Sequence, residues 1–209
     1  MKKKGLSPRE RLLQAGIRVF AEKGYIAASV DEIVALAGLA KPALYYYFKN
    51  KEGLYHAVLA YGFDERLSLA QEALEKNGGW RERLTAFVRS VLMFSGEQNA
   101  LFRITLQASL APQGERPPHL PLQKMGRQNM DYFCAFFRRG IKEGFFKKEF
   151  DARALTAAFH GQLLFYVLLH NLDPAALPAR LRAEDIVEIF LSGVSAPVAS
   201  RKVLVHEKA

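Results

Sequence analysis

The sequence is poor in the features that mark several common protein classes. It holds one cysteine, Cys134, so no intrachain disulfide can form, which suits a reducing compartment such as the cytoplasm. Cys134 lies in an apolar run, Tyr132 to Phe137, and reads as a small buried hydrophobe. No stretch alternates apolar and polar residues, which argues against half-buried strands. The most apolar stretch, about Ala154 to Leu172, is interrupted by His160, Gln162 and His170. It falls short of the roughly 20 apolar residues of a spanning helix and reads as a buried core helix. Met1 to Gly5 carries charge with no apolar segment behind it, unlike a secretory signal. The five histidines fall in no H-E-x-x-H or Cys/His spacing, and Glu-x-x-His does not occur. A Gly-rich phosphate loop and a G-x-S-x-G elbow are also missing. The expectation is a protein that is not an enzyme, with no cofactor and no metal.

Acidic residues are the minority, 21 against 30 Lys and Arg, for a net charge of +9. The excess is uneven. Residues 1–54 carry +5 and residues 55–209 carry +4, so over half of it sits in about a quarter of the chain. A basic N-terminus points to an anionic partner there. A membrane surface would require a long basic amphipathic helix. Helix 1 is the only basic candidate, and its apolar face is claimed by a three-helix core.

What is present is helical signal almost throughout. Ser7, Pro8 and Glu10 form a capping box with proline in the first turn. Leu12, Gly16, Val19 and Phe20 then make an apolar face, with Leu13 and Ile17 beside it, and Gly24 ends helix 1. Ser29 and Glu32 form a second capping box, followed by the single stripe Val30, Ile33, Val34 and Ala37. Gly38 breaks helix 2. Helix 3 runs from about Lys41 to Tyr47, and helix 4, capped by Asn50, to about Lys76. Longer helices are expected over about 80–95, 98–111, 122–143, 151–171 and 183–195. The segment from Pro112 to Pro121, with four prolines, is a loop, and the tail 197–209 is loose.

Residues 29–54 form a helix, a tight glycine turn and a short second helix. Such a turn holds the second helix across the first, where its leading residues can enter a major groove. Leu44 and Phe48 anchor the short helix. Lys41, Pro42, Tyr45, Tyr46 and Tyr47 are left for DNA, and Lys49 and Lys51 are spaced to clamp the backbone. A phenol can bond a phosphate while its ring lies on a sugar or a thymine methyl.

Here the sequence resembles the tetracycline-repressor (TetR) family. The resemblance is carried by R-E-R-L-L-Q-A-G-I-R-V-F-A-E-K-G-Y and A-G-L-A-K-P-A-L-Y-Y-Y-F-K-N-K-E-G-L, and spans residues 7–54. It implies that Ser29 and Lys51 contact phosphate. It implies that Lys41 and Pro42 face base edges and that Tyr45 and Tyr46 touch backbone and thymine methyls. Three positions depart from the usual pattern: Ala40 for Ser, Tyr47 for His and Gly16 for Ala. Lys2, Lys3 and Lys4 are either a basic arm reaching DNA or a solvated tail.

The fold expected is all-α. A three-helix helix-turn-helix domain, 6–54, joins through helix 4 to a helical effector-binding and dimerisation domain, 77–196. The resemblance implies a homodimer on a double-stranded, palindromic DNA operator, with no membrane partner. It also implies a domain that binds an inducer, with repression relieved on binding, and the aromatic- and Met-rich interior suggests a small apolar effector. Large apolar candidates for the effector site are Phe94, Phe102, Met125, Phe133, Phe137, Phe159 and Tyr166. Polar candidates are Gln107, Asn129, His160 and Gln162. The last two helices supply the dimer bundle through stripes on Leu155 to Leu169 and on Ile186 to Gly193. The loop 112–121 either borders the pocket entrance or simply connects. The competing reading is a helical small-molecule-binding protein of the same fold without sequence-specific DNA binding.

Overall fold

The computed structural model describes residues 5–112, 114–117, 119–177 and 181–194. Within them the chain forms α1 (Pro8–Ala27), α2 (Val30–Ala37), α3 (Lys41–Phe48), α4 (Lys51–Leu74), α5 (Trp80–Glu97) and α6 (Asn99–Leu110). It continues with α7 (Leu122–Lys142), α8 (Ala152–Leu172), a 3-10 turn (Pro174–Ala176) and α9 (Ala183–Val194). Extended strands are absent among the described residues. The Lys2–Lys4 arm and the tail 197–209 lie outside the described residues.

Local chemistry sets the ends of the first helices. Ser7 and Ser29 each form the full capping box, with Glu10 and Glu32 returning the bond to the cap backbone. Gly24 leaves helical geometry at φ 74° and kinks α1 before its last turn. Gly38 ends α2 in the left-handed region at φ 62°. Its N–H bonds the Ala35 carbonyl, and Leu39 N–H bonds the Val34 carbonyl at 2.9 Å, the paired closure of a Schellman turn. Arg11 Nη2 donates to the Gly38 carbonyl at 3.0 Å, tying this turn to α1.

Gly16 departs from the usual alanine for a packing reason. A Cβ there would lie 3.1 Å from Leu54 Cδ2, and Leu54 is fully buried. The missing methyl lets the first turn of α4 settle against α1.

Two apolar cores result. The first contains Leu12, Phe20, Ile33, Leu44, Phe48, Leu54 and Val58 from α1–α4, and also Leu101, Ile104 and Ala108 from α6. The second contains Ala70, Ala73 and Leu74 from the end of α4, with side chains of α5, α7, α8 and α9 around Phe137 and Phe159. The core of the N-terminal domain therefore does not close within residues 6–54, because α6 completes it. Helix α4 passes from one core to the other. Cys134 is buried, as expected for a small hydrophobe.

Helix α8 reaches the length and hydropathy of a membrane-crossing segment over Ala152–Asn171, with a mean hydropathy of 1.2. That corrects the expectation that it falls short. Its Leu155, Phe159, Leu163 and Val167 lie in the second core, while Phe165 is 61% exposed and Leu164 is partly so. One face is thus spent within the chain and another is left apolar at the surface.

Candidate nucleic-acid interface and internal cavity

Helix α3 is seated by Leu44 and Phe48, both buried, and its outer face is aromatic. Tyr46 is the most exposed of its tyrosines at 81%, followed by Tyr45 and Tyr47. The Tyr46 and Tyr47 rings meet edge to face at 4.9 Å. Ala40 provides no side-chain cap, so the substitution of alanine for serine removes that bond. Pro42 lies in the first turn, where a missing N–H costs nothing. Lys41 Nζ pairs with Asp31 Oδ1 at 2.9 Å across the turn. This bond raises the Lys41 pKa and ties the head of α3 to α2. Both partners are exposed, so the pair is easily exchanged for a phosphate or a base edge. Lys49 caps α3 at φ 64° and is exposed. The Ser29 hydroxyl accepts from Glu32 N–H at 3.2 Å while its own proton remains available to a phosphate.

Lys51 is placed differently from the expectation. Its ammonium donates to the carbonyls of Tyr25 at 2.9 Å, Ile26 at 3.3 Å and Ala28 at 2.9 Å. It also lies 4.6 Å from the centre of the Tyr25 ring. An ammonium has three N–H groups, and all three are engaged. Lys51 closes the end of α1 and joins it to α4, which holds the helix-turn-helix together.

The second feature is an apolar cavity of about 310 Å³ between α4, α5, α6, α7 and α8. Of the residues expected at an effector site, Phe94, Phe102, Asn129, Phe133 and His160 line it. The others lie elsewhere. Phe137 and Phe159 are buried in the second core, and Tyr166 packs against that core. Met125 packs against the first core. Gln107 is exposed. Gln162 Nε2 donates to the Ile186 carbonyl at 3.0 Å, linking α8 to α9. The described part of the loop 112–121 contributes nothing to the cavity wall. His119, Leu120 and Pro121 instead share a surface cleft with Phe48, Lys49 and His56 beside α3.

Sequence reasoning did not single out Arg66, Ser95, Thr105 or Ser109, all in the cavity wall. Arg66 carried a readable signal. It stands four residues after the buried Gly62 and four before the buried Ala70, so a cation interrupts the inward stripe of α4.

His160 Nδ1 lies 2.9 Å from the Thr156 carbonyl, so that nitrogen carries the proton and Nε2 is the acceptor. Burial, aided by the charge of Arg66, pushes its pKa down to about 4 against a bond to Thr156 that works the other way. The imidazole is neutral at pH 7. The unfolded chain takes up its proton near 6.5, before the folded chain does, so stability is lost as pH falls through that window. We expect the wild type to lose about 2 kcal/mol more than His160→Gln between pH 7.5 and pH 5. Urea melts of both proteins at the two pH values measure this. Equal losses would show an imidazole that titrates normally.

The N-terminal part of the structure is a helix-turn-helix with an exposed aromatic second helix, joined to a helical body that has its own cavity. Residues 12–58 match the model of the bacterial regulatory proteins of the tetR family. The N-terminal helix-turn-helix is therefore similar to the DNA-binding domain of that family. Over 99 residues it is 37% identical to the HTH-type transcriptional activator FasR of Mycolicibacterium smegmatis. That match covers 47% of this chain and 45% of FasR, so the chain spans less than half of that relative. The TetR family regulator PfmR of Thermus thermophilus is 26% identical, covering 87% of this chain and 95% of its own, with a TM-score of 0.66. AibR, solved with isovaleryl coenzyme A and operator DNA, shares the fold at 21% identity and a TM-score of 0.67. It covers 90% of this chain and 97% of AibR.

Proposed function

We propose that the protein is a homodimeric repressor that releases a palindromic operator when a small, largely apolar molecule fills the cavity. It would act in the cytoplasm, where the operator is. The observation that carries this is the double duty of α6. Its Phe102, Thr105 and Ser109 line the cavity, while its Ile104 and Ala108 complete the core of the DNA-binding domain. Arg103 of the same helix donates to the Ala21 carbonyl of α1 at 2.9 Å. Helix α4 likewise lines the cavity with Gly62, Arg66 and Leu69 and anchors the first core with Leu54 and Val58. A ligand that moves either wall moves the base of the helix-turn-helix.

The rest is linkage. Two recognition helices on a two-fold axis read half-sites about 34–36 Å apart. A ligand favouring another spacing weakens DNA binding, and DNA weakens ligand binding by the same factor. At the operator, Tyr45, Tyr46 and Tyr47 would meet backbone and thymine methyls. Lys41 and Pro42 would face base edges, and Ser29 and Lys49 would contact phosphate. Lys51 would contribute by holding α1 to α4. The precedent of AibR, bound to a coenzyme A thioester and to DNA, supports an acyl or similarly apolar effector for this fold.

Selection of DNA from a random pool with the purified protein tests the reading. We expect a palindrome, with Tyr46→Ala weakening operator binding about tenfold at unchanged melting temperature. A pool that enriches nothing, with binding that only falls steeply with salt, would leave the basic N-terminus as a nonspecific surface. A reporter fused to the operator checks the sign. Constitutive expression on deletion of the gene is the expected outcome, and lost expression would make it an activator.

A further inference from the structure

We propose that the effector is an organic monoanion, a carboxylic acid with an apolar body, and that Arg66 binds its carboxylate inside the cavity. The proposal rests on the cavity being the effector site and adds the chemistry of its occupant.

Arg66 is the one Lys or Arg side chain in the cavity wall, and the wall contains no Asp or Glu among the described residues. Its guanidinium makes no hydrogen bond or ion pair with any described residue. By accessible surface Arg66 is exposed, although the protein packed around its guanidinium is enough to lower its pKa. A group that protrudes into a hollow satisfies both. An anion entering the cavity would therefore meet a cation with no competing protein partner.

Each of the other polar side chains of the wall already has a partner within the protein. Ser95 donates to the Leu92 carbonyl, Thr105 to those of Leu101 and Phe102, and Ser109 to that of Thr105. Asn129 Nδ2 donates to the Phe63 carbonyl, and the neutral His160 donates from Nδ1 to the Thr156 carbonyl. The guanidinium fork of Arg66 is the one charged donor set in the wall left unengaged, and its geometry matches the two oxygens of a carboxylate.

Charge balance selects the monoanion. A phosphate dianion against a single cation would leave net charge in an apolar space. A carboxylate is neutralised one to one. The volume of about 310 Å³ is at the small end of ligand pockets and suits a short acyl or aromatic acid, not a whole coenzyme A conjugate. Because Arg66 stands on α4, between the two cores, the ion pair would form on a helix that carries the DNA-binding domain.

The test uses the full-length protein and matched probes: octanoate, decanoate and 4-phenylbutanoate, each beside its methyl ester, and decanoyl coenzyme A. Binding is read by calorimetry and by melting temperature, and operator release separately by fluorescence anisotropy. At least one acid should bind tenfold or more tighter than its ester. Arg66→Met, which keeps the stem without the charge, should abolish that preference, and Arg66→Lys should retain it in weakened form. The ligand-free Arg66→Met protein should melt at or above the wild type, because no partner is lost. An ester that binds as well as its acid, an Arg66→Met protein that keeps the preference, or a panel in which no acid binds would overturn the proposal. Tighter binding of the thioester, unaffected by Arg66→Met, would do the same. Acid binding through Arg66 with operator affinity unchanged would uphold the carboxylate site and sink the release mechanism. Release by a neutral compound alone would do the reverse.

Discussion

Phe165→Asp is expected to convert the proposed homodimer to a monomer and to weaken operator binding by about 100-fold or more. Phe165 is 61% exposed on α8, and Ile189 on α9 is 57% exposed. Both belong to the helices that would form the dimer bundle. Two apolar side chains at the surface of adjacent helices suit burial against a second copy. In a two-fold interface one substitution is felt twice, and each aspartate would have to be desolvated. The loss of operator affinity follows from losing the second half-site, since linked binding gains about 10²–10⁴ over a single contact. Sedimentation equilibrium reads the oligomeric state, and anisotropy reads the affinity. The monomer should retain its helical content, because the Phe165 ring is not in the core. A variant that sediments as a dimer would remove α8 from the interface.

Lys51→Met is expected to lower stability by about 2–3 kcal/mol, estimated from charged hydrogen bonds whose loss leaves acceptors partly buried. It should weaken operator binding only as a consequence. The ammonium is the sole side-chain donor to the Tyr25, Ile26 and Ala28 carbonyls among the hydrogen bonds of the described residues. Without it, the end of α1 and the link to Ser29 lose their clamp. Urea denaturation and the salt dependence of DNA binding separate the two roles. A structural lysine gives a lower midpoint in urea and an unchanged salt slope. A phosphate-binding lysine would give wild-type stability and a salt slope reduced by about one. Tyr46→Ala provides the contrast, since so exposed a ring can lose affinity without losing stability.

The helical organisation was legible because its signals are local. Each capping box needs four consecutive residues, and both Ser7–Glu10 and Ser29–Glu32 formed as read. Gly24 and Gly38 interrupt the chain where their freedom is used. Leu44 and Phe48, one turn apart on a short helix, had one face to bury. The exposed tyrosines follow from that anchoring. Even the predicted ends of the longer helices lie within one or two residues of those observed.

The cavity was less legible because it depends on direction across helices. Phe133 and Phe137 lie one turn apart on α7, and Phe159 and His160 are neighbours on α8. Yet Phe133 and His160 line the cavity while Phe137 and Phe159 fill the second core. Nothing in their spacing distinguishes these outcomes. Lys51 and Arg66 show the same limit for charge. Both are cations on α4. One folds back onto three carbonyls 23 to 26 residues earlier in the chain, and the other projects into a hollow made by helices that follow it. By itself the sequence determined the helices, their ends and the helix-turn-helix motif, since these rest on contacts within a few residues. Only the tertiary structure decided which side chains enclose space and which cation is left without a partner, because those depend on segments brought together by packing.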